Sequence, residues 1–514
     1  MPSSARTGGE NPERLAEEPS RRPRPIPRRA LLALGALGAA ARAEAQVRTP
    51  TRSKPNRAPS GELRLLRRAT MGVRAEEVSW INALGYYGYL EWQLNAEAMG
   101  DPDCETRLTQ FPTIYLPPDQ LYAQPDSQVV TRHITEAAIC RAVYTNRQLL
   151  ERMVEFWSDH FNTNISSVGV LKTPEVRNVY LQRGLSTFPA LLSASASSPA
   201  MLVYLNNTQS DGRPGRTPNQ NYARELLELH TLGVDGGYTQ QDVVEVARCF
   251  TGWRTTTSNS VVSAGAGPGT FYFDANRHDN GSKLVLGTTI AAGGGINDGL
   301  NVLNIVANHP STARFIAKKM LRWLLTYDPS PSLVADIAGE YARTGGDIKS
   351  LVRRILHYDN VVTAPPLLKR PFHYIVSAIR VLNANVTSYA TIRGTYLSGT
   401  GNVPYAWGPP DGYPQEFEYW GGLPLPRWNF AFQLANNSVS GATVDVPALL
   451  AGATTPIQVA DRIDALLFAG EMPVADKMAL ITYLRPSGTA TVPSLTQIRD
   501  AFGLALASPA FQWH

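Results

Sequence analysis

The sequence predicts a mainly α protein, with one large multi-helix domain over 59–514 and a small β-hairpin excursion around 254–297. Three observations carry this. Apolar residues recur at helical spacing through most of the chain beyond residue 60. Runs rich in Thr, Ser, Val and Gly, which read as strands, are confined to 254–297. No Pro- or Ser-rich linker and no repeat of fixed period interrupts 60–514. With 514 residues, 43% hydrophobic and 18% charged, the chain has apolar material for a sizeable core and too little charge for a solvated coil. Three Cys are too few for a disulfide scaffold. They are also an odd number, so at most one bridge can form, and whether Cys104 pairs with Cys140 stays open.

The first element is not part of the fold. Residues 1–45 hold eight Arg against five Glu, and Arg28-Arg29 precedes an apolar run from Ala30 to Ala41 that ends in Ala43-Glu44-Ala45. This is the layout of an export signal, twin-arginine-like in its Arg pair, with cleavage expected after Ala45 and a flexible linker over 46–58. The run is 12 residues long, whereas a helix that spans a membrane needs roughly 20, so no membrane span is expected. Localisation is expected to be periplasmic, cell-surface or extracellular. Once the basic head is set aside, a net charge of only +2 of the total +5 remains for the body. Such a body has no excess charge with which to track phosphates, so no nucleic-acid partner is expected.

Helices follow in order. Between Leu149 and Phe161, Met153, Phe156, Trp157 and His160 fall on one face. From Asn221 to Leu232, Tyr222, Leu226 and Leu229 form one stripe, while Asn221, Arg224, Glu225 and Glu228 form another. Gly233 and Asp235-Gly236-Gly237 then signal a stop and a turn. Thr239, with Asp242 three residues on, opens a helix whose Val243, Val246, Ala247 and Phe250 face inward. Comparable patterns cover 75–98, 128–145, 171–205, 299–325, 331–357, 370–384, 425–437, 456–485 and 494–507. Within 254–297, Val261-Val262, Phe271-Tyr272-Phe273 and Leu284-Val285-Leu286 read as strands. The aromatics between Tyr405 and Trp428 are expected to pack a Pro-rich loop against the core.

The densest polar helix supplies the candidate site. Glu225 and Glu228 lie three apart with Asn221 four before Glu225, so three oxygen-bearing side chains share one face and suit a cation or a polar substrate. The competing reading is an ordinary surface ion pair between Arg224 and Glu228. His230 is expected to be a hydrogen-bonded core histidine. Asp159 and His160 are consecutive, about 100° apart on a helix, so Asp159 cannot orient His160 as in a catalytic triad. His278 and Asp279, with Lys283, form a loop constellation whose alternative is a simple turn. Lys318-Lys319 and Arg322 read as a solvated basic face. Metalloprotease, nucleophile-elbow, P-loop and dinucleotide-binding motifs are absent from the sequence.

The stretch from Asn219 through Asn221-Tyr222-Ala223-Arg224-Glu225-Leu226-Leu227-Glu228-Leu229-His230 to Gly233, continuing through Gly237-Tyr238-Thr239 to Thr251-Gly252-Trp253, resembles the signature of the bacterial domain-of-unknown-function 1800 family. Leu65-Leu66-Arg67-Arg68-Ala69, Phe156 to Phe161, His278-Asp279 with Lys283, Phe315 to Leu325 and Ser508 to Gln512 agree with it, which extends the resemblance over about 60–514. The loop Gly408-Pro409-Pro410-Asp411-Gly412-Tyr413-Pro414 departs from the form many relatives have. The resemblance implies export and pairing with a second exported protein like sulfatases and alkaline phosphatases. It implies no established activity. The expected binding residues are therefore Asn221, Arg224, Glu225, Glu228, His230, His278, Asp279 and Lys283, with Asp159 and His160 as further members. A divalent metal suits such an oxygen-rich set, although no cofactor and no catalytic residue is identified. The alternative function is that of a non-catalytic assembly or secretion partner.

Overall fold

The structure is a computed structural model that describes residues 60–257, 266–485 and 492–514. It is 63% helix and 5% strand, and this helix content is about twice the usual share for globular proteins. Several helices begin where the sequence supplies a side-chain cap. Helix α1 (Gly61–Ala69) starts at Ser60, whose hydroxyl accepts from the amide of Leu63. The 75–98 pattern becomes α2 (Ala75–Leu94), broken by Gly85 at φ +72° and followed by a single 3-10 turn, Ala96–Ala98. Helices α3 (Ser127–Tyr144) and α4 (Gln148–His160) follow, and α4 buries Met153, Phe156, Trp157 and His160 as their spacing requires.

The 221–232 segment is not a uniform α-helix. Helix α5 (Asn221–Glu225) passes into a π-helical turn over Leu226–Thr231. There the Thr231 hydroxyl donates to the carbonyl of Leu226 at 2.6 Å, and the amide of Leu232 reaches back five residues to Leu227. The wider turn rotates the residues after Leu226 relative to a regular helix, which an α-helical stripe does not anticipate. Helix α6 (Gln240–Cys249) opens on a full capping box between Thr239 and Asp242. Its Val243, Val246, Ala247 and the following Phe250 are all buried.

The β excursion consists of two antiparallel hairpins. Strand β1 (Trp253–Thr255) pairs with β2 (Phe271–Phe273), and β3 (Lys283–Val285) pairs with β4 (Thr288–Ile290). Val261-Val262 lies outside the described residues. Helices α7 (Ile296–Ala307), α8 (Pro310–Leu324), α9 (Pro331–Thr344) and α10 (Pro371–Val381) come next. Then α11 (Pro424–Ala435) packs on α12 (Leu495–Ala507), where a Cβ on Gly503 would come within 2.6 Å of the Phe432 ring. A third two-stranded pairing, Asn385–Val386 with Ala442–Thr443, lies beyond the expected β region. Two-residue strands carry no periodicity that a sequence can reveal. One cluster of buried apolar residues runs from Leu63 to Phe511 and joins all of these helices.

Candidate functional site

Four segments meet at the C-terminal end of α4. That end presents Asp159 and His160; α5 and its π-turn present Glu225, Glu228 and His230; α8 presents Lys319; and the loop after Tyr405 presents Asp411. The loop is tied down by three side chains. Asn162 donates to the carbonyls of Trp407 at 3.1 Å and Pro409 at 2.6 Å, Asn164 donates to those of Ala406 and Trp407 at 3.0 Å each, and the Tyr204 hydroxyl donates to Gly408. Gly412, at φ +78°, lies against Asp159 so closely that a Cβ there would be 2.1 Å from the Asp159 carbonyl oxygen. The aromatics of this loop pack on one another, Trp407 on Tyr413 and Tyr413 on Trp420. Trp407 also donates from its indole to Asp411 at 2.9 Å.

His160 is buried and 6.2 Å ring to ring from His230. Its Nε2 lies 3.0 Å from the His230 carbonyl, which can only accept, so Nε2 carries the proton. His160 thereby caps one of the carbonyls that the end of a helix leaves without an internal partner. Burial holds its pKa well below the ordinary histidine value and pushes that of His230 down to about 3, and in both cases the Lys319 charge adds to the effect. Both rings are neutral. His230 is a core histidine, as its position among leucines implied, but the expected hydrogen bond from its ring is missing: Nε2 is buried with no partner among the described residues.

The carboxylates behave differently. Asp159 pairs with the Arg370 guanidinium at 2.8 Å, and Arg370 also grips Glu155 while lying 4.5 Å over the Trp323 ring. Burial outweighs Arg370 and raises the Asp159 pKa to about 6. Glu225 is half-buried, and burial followed by the neighbouring Glu228 lifts its pKa above the usual range, with Asp411 adding to the effect. Arg224 does not pair with Glu228. It reaches Gln240 at 3.1 Å, Gln240 in turn donates to Gln220, and Glu228 accepts from the Tyr238 hydroxyl at 3.4 Å. The side chain of Asn221 makes no hydrogen bond among the described residues, whereas its amide is held by Asn219 at 2.9 Å.

Lys319 was placed on a solvated face by its sequence neighbours, and Lys318 is indeed exposed. Lys319 itself is turned inward and only partly accessible. Its ammonium lies 5.5 Å from the Phe315 ring, with no hydrogen bond or ion pair among the described residues. Burial lowers its pKa to about 8 against the pull of Asp159 and Asp411. The signal for this was present: Lys319 sits three residues after Ile316 and four before Trp323, both on the buried stripe of α8.

His278, Asp279 and Lys283 belong to a different assembly. His278 Nε2 and Lys283 Nζ both reach Asp298 Oδ2, at 3.1 and 2.5 Å, with all three side chains fully buried. His278 Nδ1 lies 2.8 Å from the Thr251 carbonyl, so both of its ring nitrogens face acceptor oxygens. Asp279 accepts from Arg248 through both oxygens, at 2.8 and 3.2 Å. No hydrogen bond or ion pair joins this assembly to Asn221, Arg224, Glu225 or Glu228 among the described residues. Asp298, the hub, stands in no recognisable motif and was not anticipated. Among the described residues, no three His, Cys, Asp or Glu side chains are grouped to hold a metal ion, and no helix is long and apolar enough to cross a membrane.

The described residues define a large helical protein in which α4, the α5 π-turn, α8 and the loop after Tyr405 meet at a partly buried polar junction. Residues 64–513 match the family model described as protein of unknown function (DUF1800), and the chain belongs to that family. No curated protein and no solved structure matches it.

Proposed function

We propose that the protein is exported and that the junction of α4, the α5 π-turn, α8 and the 405–416 loop binds a polar small molecule and exchanges protons with it. The observation that carries this reading is Lys319, an ammonium held half out of water within the field of Asp159 and Asp411 and given no hydrogen bond or ion pair among the described residues. A lysine drawn down to about 8 beside an aspartate drawn up to about 6 is the pairing from which acid–base sites are built. Glu225 and Glu228 line the outer side of the same junction. Export rests on Arg28-Arg29 and the short apolar run that follows. The test is labelling of the full folded protein with an amine-directed reagent across pH 6–10. One lysine that reacts with an apparent pKa near 8, and is lost in Lys319→Met, supports the site. Lys319 reacting only in the ordinary lysine range would overturn it.

A second reading, docking of an exported sulfatase- or phosphatase-like partner, is favoured by the apolar strip beside the same loop. Phe417 is 39% exposed, Tyr419 52% and Leu425 55%, and such exposure on neighbouring residues marks contact surfaces. Tyr419→Glu with Leu425→Glu would abolish partner copurification while leaving Lys319 labelling unchanged.

A further inference from the structure

On another part of the molecule, α1, α10, the 456–468 helix and the last residues of the chain enclose a cavity of about 400 Å³. Its wall is strongly unbalanced in charge. Arg67, Arg74, Lys369, Arg380 and Arg462 line it, against only Glu76 and Glu471. Four of these cations are already committed. Arg67 pairs with Glu471 at 3.0 Å and Arg380 with Glu77, while Arg74 and Arg462 donate to the carbonyls of Val143 and Leu449 at 2.7 and 2.6 Å.

Lys369 is the exception. It is 7% exposed, its ammonium lies 3.6 Å over the Phe511 ring, and that ammonium has no hydrogen bond or ion pair among the described residues, although the backbone amide donates to the Gln512 carbonyl at 2.9 Å. The groups that face it are cations or imidazoles: Arg67 from α1, Arg427 from α11, and the edge-to-face pair His373 and His514, whose rings are 4.5 Å apart. Two further donors nearby are buried without an acceptor among the described residues: Nε of Arg74, in the cavity wall, and Nη2 of Arg427, whose charge acts on Lys369. A buried ammonium with like charges for neighbours and no acceptor is costly unless an anion satisfies it. Apart from His373, Asn383 and His514, the remainder of the wall is apolar, with Leu63, Val73, Phe468, Phe511 and Trp513.

We infer that this cavity binds a small organic anion, with its carboxylate or phosphate head on Lys369 and its apolar body against Phe468, Phe511 and Trp513. The volume suits such a ligand, since small-molecule sites begin at roughly 300 Å³. The head group displaces no internal partner, because Lys369 has none to lose. The cation–π contact with Phe511 holds the ammonium in place while the cavity is empty.

Calorimetric titration of the full chain tests this with three probes of closely matched apolar body: octanoate, octyl phosphate and octanol. Octanoate or octyl phosphate should bind at least tenfold more tightly than octanol, and whichever of the two is tighter identifies the head. Lys369→Met, which keeps the volume and removes the charge, should abolish that preference while leaving octanol binding unchanged. Thermal melting of the variant confirms that it is folded. Equal binding of all three probes by the unaltered protein, or no binding of either anion at millimolar concentration, would overturn the inference, as would an unchanged preference in Lys369→Met.

Discussion

At Lys319 and Asp159 the two ionisations move toward each other, and each leaves its own mark on stability against pH. The folded Lys319 releases its proton near 8, well before an unfolded lysine does. The unfolded chain therefore binds more protons between about 8 and 10.4, and this residue makes stability rise with pH across that window. Asp159 holds its proton up to about 6 when folded, against about 3.9 unfolded, so its contribution grows as pH falls from 6 toward 4. Denaturant midpoints of Lys319→Met compared with the unaltered protein should therefore converge as pH rises from 8 to 10. Glu225→Gln should change the melting temperature little, because the carboxylate is only half-buried and has no ion pair, yet it should weaken any ligand of the junction. Loss of several kcal/mol in that variant would instead identify Glu225 as part of the scaffold. Gly412→Ala is the harsher change. Its backbone is left-handed and its Cβ would overlap Asp159, so a loss of at least about 1 kcal/mol is expected from the backbone alone, with the loop displaced.

Among the elements, the β excursion is fixed to the helices by Asp298 of α7, which receives His278 from the loop before β3 and Lys283 from β3 itself. Removing the hub leaves a lysine buried without a counter-ion. Asp298→Ala should thus cost about 3–5 kcal/mol in urea denaturation and loosen both hairpins in hydrogen exchange; an undiminished midpoint would show that the network is dispensable. The elements also divide by how far their sequences announce them. Helix α6 was legible to the residue, because Thr239 and Asp242 form a cap and Val243, Val246, Ala247 and Phe250 form a stripe, all local signals. The π-turn over Leu226–Thr231 was not, since it differs from an α-helix by one residue of register and no side-chain pattern separates the two. Asp159, His160, Glu225 and Glu228 were legible as polar residues of interest. Their convergence with Lys319 and Asp411 depends on contacts between segments some 90 to 250 positions apart, which spacing along one helix cannot encode. The same limit explains His278 and Lys283, whose partner Asp298 comes from a helix that reads as plain core.

For the molecule as a whole, far-ultraviolet circular dichroism should give a helix content near the 63% of the structure; a value near the ordinary third would contradict it. All three cysteines are free and buried. A thiol reagent should find none of the three in the native protein and all three in denaturant.

On the proposal that the protein is exported, those sheltered thiols bear on the route it would take. A polypeptide threaded unfolded into an oxidising space exposes each cysteine to disulfide catalysts before any helix has closed over it, and an odd number guarantees one without a partner. A polypeptide that folds first, where thiols stay reduced, arrives with all three already shut away. Replacing the Arg28-Arg29 leader with a general secretory signal should accordingly yield disulfide-linked species on non-reducing gels, whereas the natural leader yields a monomer whose three thiols are still titratable.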